Sequence, residues 1–229
     1  MKPNVSQYLQ KFSIYLVLLV LFVVCSLLSP YFLNDTNLIN VSRQLCVGLL
    51  IAYGEMLLIV SGFLDLSAGS VLALAGVLSV SSYKSTGSMA VALVVAVSVA
   101  VACNVVNAFF VGNCNVPAFI ATLGMQQAAR GIALYYTNGQ NILQLGDFVN
   151  IGQGMVGGIP VPVILVIFVT IVVWYIVNHT RYGRGIYAIG GNRSAAEASG
   201  INAKASIYKS YIINGVLVGL AGMIFMARN

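Results

Sequence analysis

Long apolar runs separated by short polar punctuation constrain this chain more than any other feature. They occupy positions 12–29, 45–60, 66–82, 89–111, 117–136, 160–178 and 208–227. A helix of about 20 mostly apolar residues crosses a hydrocarbon core roughly 30 Å thick and satisfies its own backbone hydrogen bonds. Barrel strands do not fit, because the runs exceed about 9–11 residues and do not alternate. Only 7% of the residues are charged and 59% are apolar, whereas soluble domains carry roughly 25% charged residues. The expected fold class is all-α: a polytopic transmembrane helical bundle of about seven spanning or re-entrant helices. Residues 1–229 then form one membrane domain. The runs at 45–60 and 66–82 are short for full spans, and one of them is expected to be broken or re-entrant.

The first run follows Lys2 and Lys11 and superficially fits a signal peptide. It is longer than the usual apolar region of about 7–15 residues, and no small-x-small cleavage site follows it. Val24 precedes Cys25 where a lipoprotein signal needs a small residue. It reads as a retained first helix. Orientation comes from Lys/Arg bias: Arg181, Arg184, Arg193, Lys204 and Lys209 face one acid, Glu197, between 179 and 209. The positive-inside rule places this segment and the N-terminus in the cytoplasm. An even number of crossings between them satisfies both, and the runs supply six. The loop at 137–159, with Asp147 and no basic residue, then faces outward.

The net charge of +6 is thus a topology signal, and no nucleic-acid partner is expected. Cys25, Cys46, Cys103 and Cys114 form no CxxC pair, and His179 is the single histidine. Neither a disulfide framework nor a zinc site follows. Gly152 to Gly157 spells GxGxxG, but it lies in a loop outside any strand–helix unit and is not read as a dinucleotide site. No P-loop, HExxH or GxSxG occurs, so no catalytic residue, metal or cofactor is assigned and the chain is not read as an enzyme. The N-x-[ST] matches at Asn4, Asn40, Asn178 and Asn192 are chance-level patterns.

Two acids lie in or beside apolar runs, where an ionisable group is costly. Glu55 either lines a path or fixes a helix pair, or is simply a locally hydrogen-bonded carboxyl. Asp65 opens Asp65-Leu66-Ser67-Ala68-Gly69-Ser70, a plausible helix start, and capping alone accounts for it. Asn104, Asn107, Gln126 and Gln127 are candidates for pathway or helix–helix polar contacts. Ala92, Ala96, Ala100, Asn104, Ala108 and Gly112 recur every fourth residue, and Gly215 with Gly219 makes a GxxxG; both are packing signals. The segment from Arg181 to Lys209 is the most distinctive. Gly190-Gly191 and Gly200 bracket a helix-forming stretch, Asn192 to Ser199. Asn192 is a good N-cap, Ser194 with Glu197 offers an alternative capping box, and Gly200 suits the left-handed position after the last turn. A helix of about two turns is expected there, standing off the membrane.

That segment resembles the cytoplasmic coupling loop of ribose/xylose/galactose-type ABC transporter permeases. Ser61-Gly62-Phe63-Leu64-Asp65-Leu66-Ser67-Ala68-Gly69-Ser70 looks like the family's GGIDLSVGS segment. Asn115 to Met125 is similar to its PPFIATLGT segment, followed by Arg130-Gly131 and Thr137-Asn138-Gly139. Phe63-Leu64 and Ala108 depart from the usual glycines or isoleucine. The resemblance covers nearly the whole chain and implies a non-catalytic permease subunit of a monosaccharide importer in the bacterial plasma membrane. It implies cytoplasmic ATP-binding-cassette subunits, a second permease chain (same or homologous) and an extracytoplasmic sugar-binding protein as partners, with membrane lipid around the bundle. It assigns residues 181–207 as the ATPase-coupling loop, with Gly190, Gly191, Asn192, Arg193, Ala196, Glu197, Ser199 and Gly200 as its contact set. Alternatives are a permease of the same superfamily for nucleosides, autoinducer or branched-chain amino acids, a secondary transporter, or an inactive membrane fragment. Similar permeases run to roughly 300 residues, so the chain is expected to be C-terminally truncated and inactive in transport by itself.

Overall fold

The computed structural model describes residues 5–140, 142 and 145–228, and only the backbone for 5–11. Lys2 and Asn4 lie outside the described residues, as does the Lys11 side chain. Two compact units are present, residues 1–42 and 43–229. In the first, α1 (Val5–Leu28) is followed by a turn in which Phe32 meets Phe22 edge-on, with ring centroids 5.3 Å apart. The boundary between the units falls within α2 (Asp35–Val60). This helix starts some ten residues earlier than the apolar pattern suggests. The Asn34 side chain accepts from the Thr36 amide at 3.2 Å, and the Asn37 side chain donates back to the Phe32 carbonyl at 2.8 Å. Polar residues here are bonded locally, so they do not interrupt the helix.

The second unit continues with α3 (Ala68–Thr86), α4 (Met89–Gly112), α5 (Ala118–Thr137), α6 (Val149–Gln153), α7 (Val161–His179), α8 (Arg181–Gly191), α9 (Arg193–Ala198) and α10 (Ala203–Arg228). Among the described residues α2, α4, α7 and α10 are long and apolar enough to cross a membrane. The 137–160 segment, read from sequence as a plain loop, holds a 3-10 turn, α6 and a two-residue hairpin pairing Met155 with Pro160. Its Gly152 is a packing glycine: a Cβ there would lie 2.6 Å from the Ala227 carbonyl carbon at the end of α10. Of the GxGxxG glycines, Gly152 serves helix contact, and Gly157 lies in the hairpin at φ +58°.

Helices in lipid gain nothing from hydrophobic exclusion of water between them, so close packing has to hold them together. The alanine stripe of α4 does this: Ala92, Ala96, Ala100, Asn104 and Ala108 are fully buried. Facing it, Gly215 and Gly219 let α10 approach backbone to backbone. A Cβ on Gly219 would sit 2.8 Å from the Ala96 carbonyl oxygen, and one on Gly215 would sit 2.8 Å from Val101 Cα. Another face of α10 meets α3 similarly, where a Cβ on Gly76 would lie 2.7 Å from the Gly222 carbonyl. Around this three-helix centre, Leu50 and Leu57 of α2 and Val166, Val169, Val173 and Val177 of α7 complete the main core.

Successive helices run in alternation, and the contacts at their ends show it. At one end, the Tyr208 hydroxyl donates to the Asn113 side chain at 3.1 Å, and Phe63 packs with Val111 and Ile207. At the other, Arg43 donates to the Gln153 carbonyl, Gln153 donates to the Arg228 carbonyl at 3.0 Å, and Tyr83 meets Phe148. The seam between α4 and α10 makes a direct prediction. Gly219→Val should lower stability by about 1–3 kcal/mol through overpacking, seen as a fall in the thermal aggregation midpoint of detergent-purified protein. Gly131→Val, where a Cβ would meet nothing within 4 Å, should leave that midpoint unchanged.

Candidate functional site

Two groups of residues stand out, a capped platform at one end of the bundle and a polar cluster inside it. The platform begins where Thr180 caps α8, its hydroxyl accepting from the Gly183 amide at 3.1 Å. Asn192 ends α8 and caps α9, its side chain accepting from the Ala195 amide at 3.0 Å. The Ser194–Glu197 capping box is not used; Glu197 instead pairs with Arg193 at 3.0 Å. Gly200, at φ +84°, closes α9 with bonds from Ile201 to Ala196 and from Gly200 to Glu197, both 3.0 Å. That is the left-handed C-terminal motif expected of glycine. Asn192, Arg193, Glu197, Ser199 and Gly200 are exposed.

Two expectations about this segment change. Gly190 and Gly191, expected only to bracket the short helix, are themselves the last residues of α8. A Cβ on Gly190 would overlap the Val60 carbonyl oxygen, so α8 seats its end directly on the end of α2. Nor does α9 stand clear: Ala196 is buried with Ile189 of α8 and Ala203 of α10. One alanine holds the platform down while its remaining side chains face out. Alongside, Tyr182 of α8 shares a 2.7 Å hydrogen bond with Ser210 of α10, and Ser210 lies 3.3 Å from Ser61.

The interior cluster starts at the break between α2 and α3. Gly62, at φ +84°, ends α2, with Phe63 bonded back to Leu58 at 2.9 Å and Gly62 to Ile59 at 3.0 Å. The chain then turns inward, and the Asp65 amide donates to Glu55 at 3.2 Å. Asp65 does not cap α3. One carboxylate oxygen accepts from the Ser67 amide at 2.8 Å and from the Ser67 hydroxyl. The other accepts from Asn214 of α10 at 2.9 Å. The same Asn214 amide donates to Asn104 at 3.1 Å, while Asn107 donates to the Ser67 hydroxyl at 3.1 Å. Tyr211 reaches the Leu64 carbonyl at 3.1 Å. A Cβ on Gly54 would overlap the Asn214 side-chain oxygen, so α2 closes over the cluster without a gap.

Asp65, Ser67, Asn104, Asn107 and Asn214 are all buried. A carboxylate in such surroundings is retained only where donors surround it, and the Asp65 side chain has three, two from nearby Ser67 and one from distant Asn214. Glu55, Asp65, Asn104 and Asn107, proposed from sequence as separate candidates, converge here as helix–helix contacts. Gln126 and Gln127 do not join them. Gln126 lines a groove with Ser70, Ala73 and Arg130, and Gln127 is exposed. Asn214, Ser67, Tyr211 and Ser210 were not singled out from sequence. Asn214 carried a usable signal, an amide beside Gly215 in the middle of an apolar run.

Residues 37–229 match the family described as branched-chain amino acid transport system / permease component. The chain is 37% identical over 220 residues to the ribose import permease protein of Escherichia coli (strain K12), covering 93% of this chain and 68% of that protein. It is 36% identical over 223 residues to the ribose import permease protein of Bacillus subtilis (strain 168), covering 96% and 69%. With the D-allose transport system permease protein of Escherichia coli (strain K12) it shares 35% identity over 231 residues, 99% of this chain and 71% of that one. No solved structure matches.

Asn214 joins more elements than any other member of the cluster. Asn214→Leu should strand Asp65 and Asn104 and cost about 1–3 kcal/mol, measured by denaturant titration of the purified protein in mixed micelles. Gln127→Ala on the exposed face of α5 should stay within about 0.5 kcal/mol of the parent.

Proposed function

Because the chain belongs to the branched-chain amino acid transport system / permease component family, we propose that it is the membrane-spanning subunit of an ATP-driven monosaccharide importer. The observation that carries this reading is its similarity along nearly all its length to permeases named for ribose and allose. A galactose/methyl galactoside import permease protein of Escherichia coli (strain K12) is 33% identical over 247 residues. The sugar relatives favour a sugar over a branched-chain amino acid as cargo.

The sequence contains no phosphate-cradling loop, so the energy comes from separate ATPase subunits. These dock on the platform of Gly190, Gly191, Asn192, Arg193, Ala196, Glu197, Ser199 and Gly200. Coupling requires a contact stiff enough to transmit displacement. Caps at both ends of α9, the buried Ala196 and the seat of Gly190 on Val60 supply that stiffness. Closure of the ATPase pair then moves the end of α2, and with it the Ser61–Ser67 break that carries the interior cluster. The cluster is a strut between helices, and sugar passes elsewhere, between this chain and a second permease chain. A binding protein delivers the sugar on the opposite face. Basic residues around the platform support a cytoplasmic location for that side, and the six apolar runs that precede it in the sequence support the same for the N-terminus.

Orientation is tested with single cysteines in a cysteine-free background. An impermeant thiol reagent applied to intact cells should label Asp147→Cys and spare Arg193→Cys; the reverse pattern would invert the topology. Coupling is tested with the substitutions placed in a full-length permease background, in cells supplying the ATPase, the binding protein and labelled ribose, allose or galactose. Gly190→Val and Glu197→Lys should each cut ATP-dependent uptake at least about tenfold, the effect of losing roughly 1.4 kcal/mol at a docking contact. Parental uptake in both variants would remove the platform from the mechanism.

A further inference from the structure

Beside the platform, α8 and α10 border a groove of about 540 Å³ whose lining includes none of the eight residues named as the ATPase contact set. Arg181 and Arg184 of α8 and Lys209 of α10 rim it, while Gly185, Ala188 and Ser206 form part of its floor. All three basic residues are exposed. Among the described residues no acidic side chain lines the groove. The exposed contact residues Arg193 and Glu197 of α9 are not among its lining residues.

We propose that this groove binds the phosphate-bearing headgroup of an anionic phospholipid from the adjoining leaflet. It rests on α7 and α10 spanning the bilayer and is independent of which sugar is carried. The level of the groove is the first support. Arg181 follows the end of α7 by two residues, and Lys209 lies in the second turn of α10. Just before that end, Trp174 and Tyr175 are 57% and 58% exposed. His179 stacks on Tyr175 with ring centroids 5.5 Å apart and an interplanar angle of 3°, and lies 4.7 Å from Trp174. Amphipathic rings exposed at one end of a spanning helix mark the headgroup layer. The groove therefore opens at the depth where lipid phosphates lie.

Charge and shape agree with that occupant. Basic pockets between membrane helices are suited to anionic headgroups, and each nearby cation adds to the attraction. Arginine offers a planar fork matched to phosphate oxygens, which lysine complements as a mobile point charge. A cavity of this volume falls within the size range of small-ligand sites, and small floor residues leave room for a glycerol phosphate. An acidic protein surface, by contrast, would meet the exposed α9 before it reached a recess against the membrane.

The test is native mass spectrometry of the full 229-residue chain, released from mixed micelles containing equal phosphatidylglycerol and phosphatidylcholine. The parent should retain phosphatidylglycerol about tenfold over phosphatidylcholine, and Arg181→Gln/Arg184→Gln/Lys209→Gln should bring that ratio close to one. Lys204→Gln, a basic residue outside the groove, should keep the parental ratio, and Arg181→Lys/Arg184→Lys should keep most of it. Should the triple variant fail to fold, Arg184→Gln alone decides, with an expected loss of about fivefold. Equal retention of the two lipids by the parent would overturn the proposal, as would an equal loss in Lys204→Gln, which would indicate diffuse surface charge. Displacement of the lipid by millimolar inorganic phosphate would reassign the groove to a free anion. Uptake of a poly-Glu peptide without any phosphatidylglycerol preference would make it a protein-docking surface.

Discussion

The backbone-close seam between α4 and α10 is the contact on which the rest of the bundle depends. In lipid the driving force for helix association is close packing and interhelical hydrogen bonding rather than exclusion of water. The seam supplies both in one register. Ala96 and Ala100 oppose Gly219 and Gly215, and the Asn104–Asn214 bond follows as the stripe continues. Because the glycines bring the backbones so near, the two short amides span the gap directly. A wider separation would leave Asp65 without its donor from α10. Small residues thus set the distance, and the distance makes the polar cluster possible.

How much of this was legible in the sequence depended on whether the cause was local. Periodic small residues, long apolar runs and the Asn192 and Gly200 caps depend on local spacing, and each appears in the structure where the pattern places it. Helix starts at Asp35 and Ala203 were masked by polar residues, because hydropathy detects a membrane span and says nothing of helical turns extending beyond it. The helical state of Gly190 and Gly191 was hidden by their low intrinsic propensity, which the close fit against Val60 overrides. Glu55, Asp65, Asn104 and Asn107 were visible one at a time. Their convergence was not, because Asn214, which joins Asp65 to Asn104, lies 149 positions from Asp65.

Platform and cluster are not independent features. The residue on which α8 is seated, Val60, is followed immediately by Ser61, and the Ser61–Ser67 segment leads into the cluster. Tyr182 and Ser210 tie the same corner from α8 and α10. A displacement at α9 has no soft linker in which to dissipate before it reaches this segment. In the proposed mechanism that rigidity converts a cytoplasmic push into a change at the α2–α3 break. The valine face of α7 packs into the core, while Ile167, Phe168 and Ile171 on the same helix are exposed.

The wide sequence separation within the cluster also bears on how the protein is made. Leu64, Asp65 and Ser61 find their partners on Tyr211, Asn214 and Ser210, at separations of 147 to 149 residues. At a synthesis rate of about 5–20 residues per second, roughly 7–30 s pass between these two regions leaving the ribosome. Through that interval the break between α2 and α3 carries Asp65, whose donor from α10 does not yet exist. The first helices made are therefore completed by the last one described here. The nascent bundle spends its early life as an intermediate that insertion machinery has to shelter and that membrane proteases are placed to recognise.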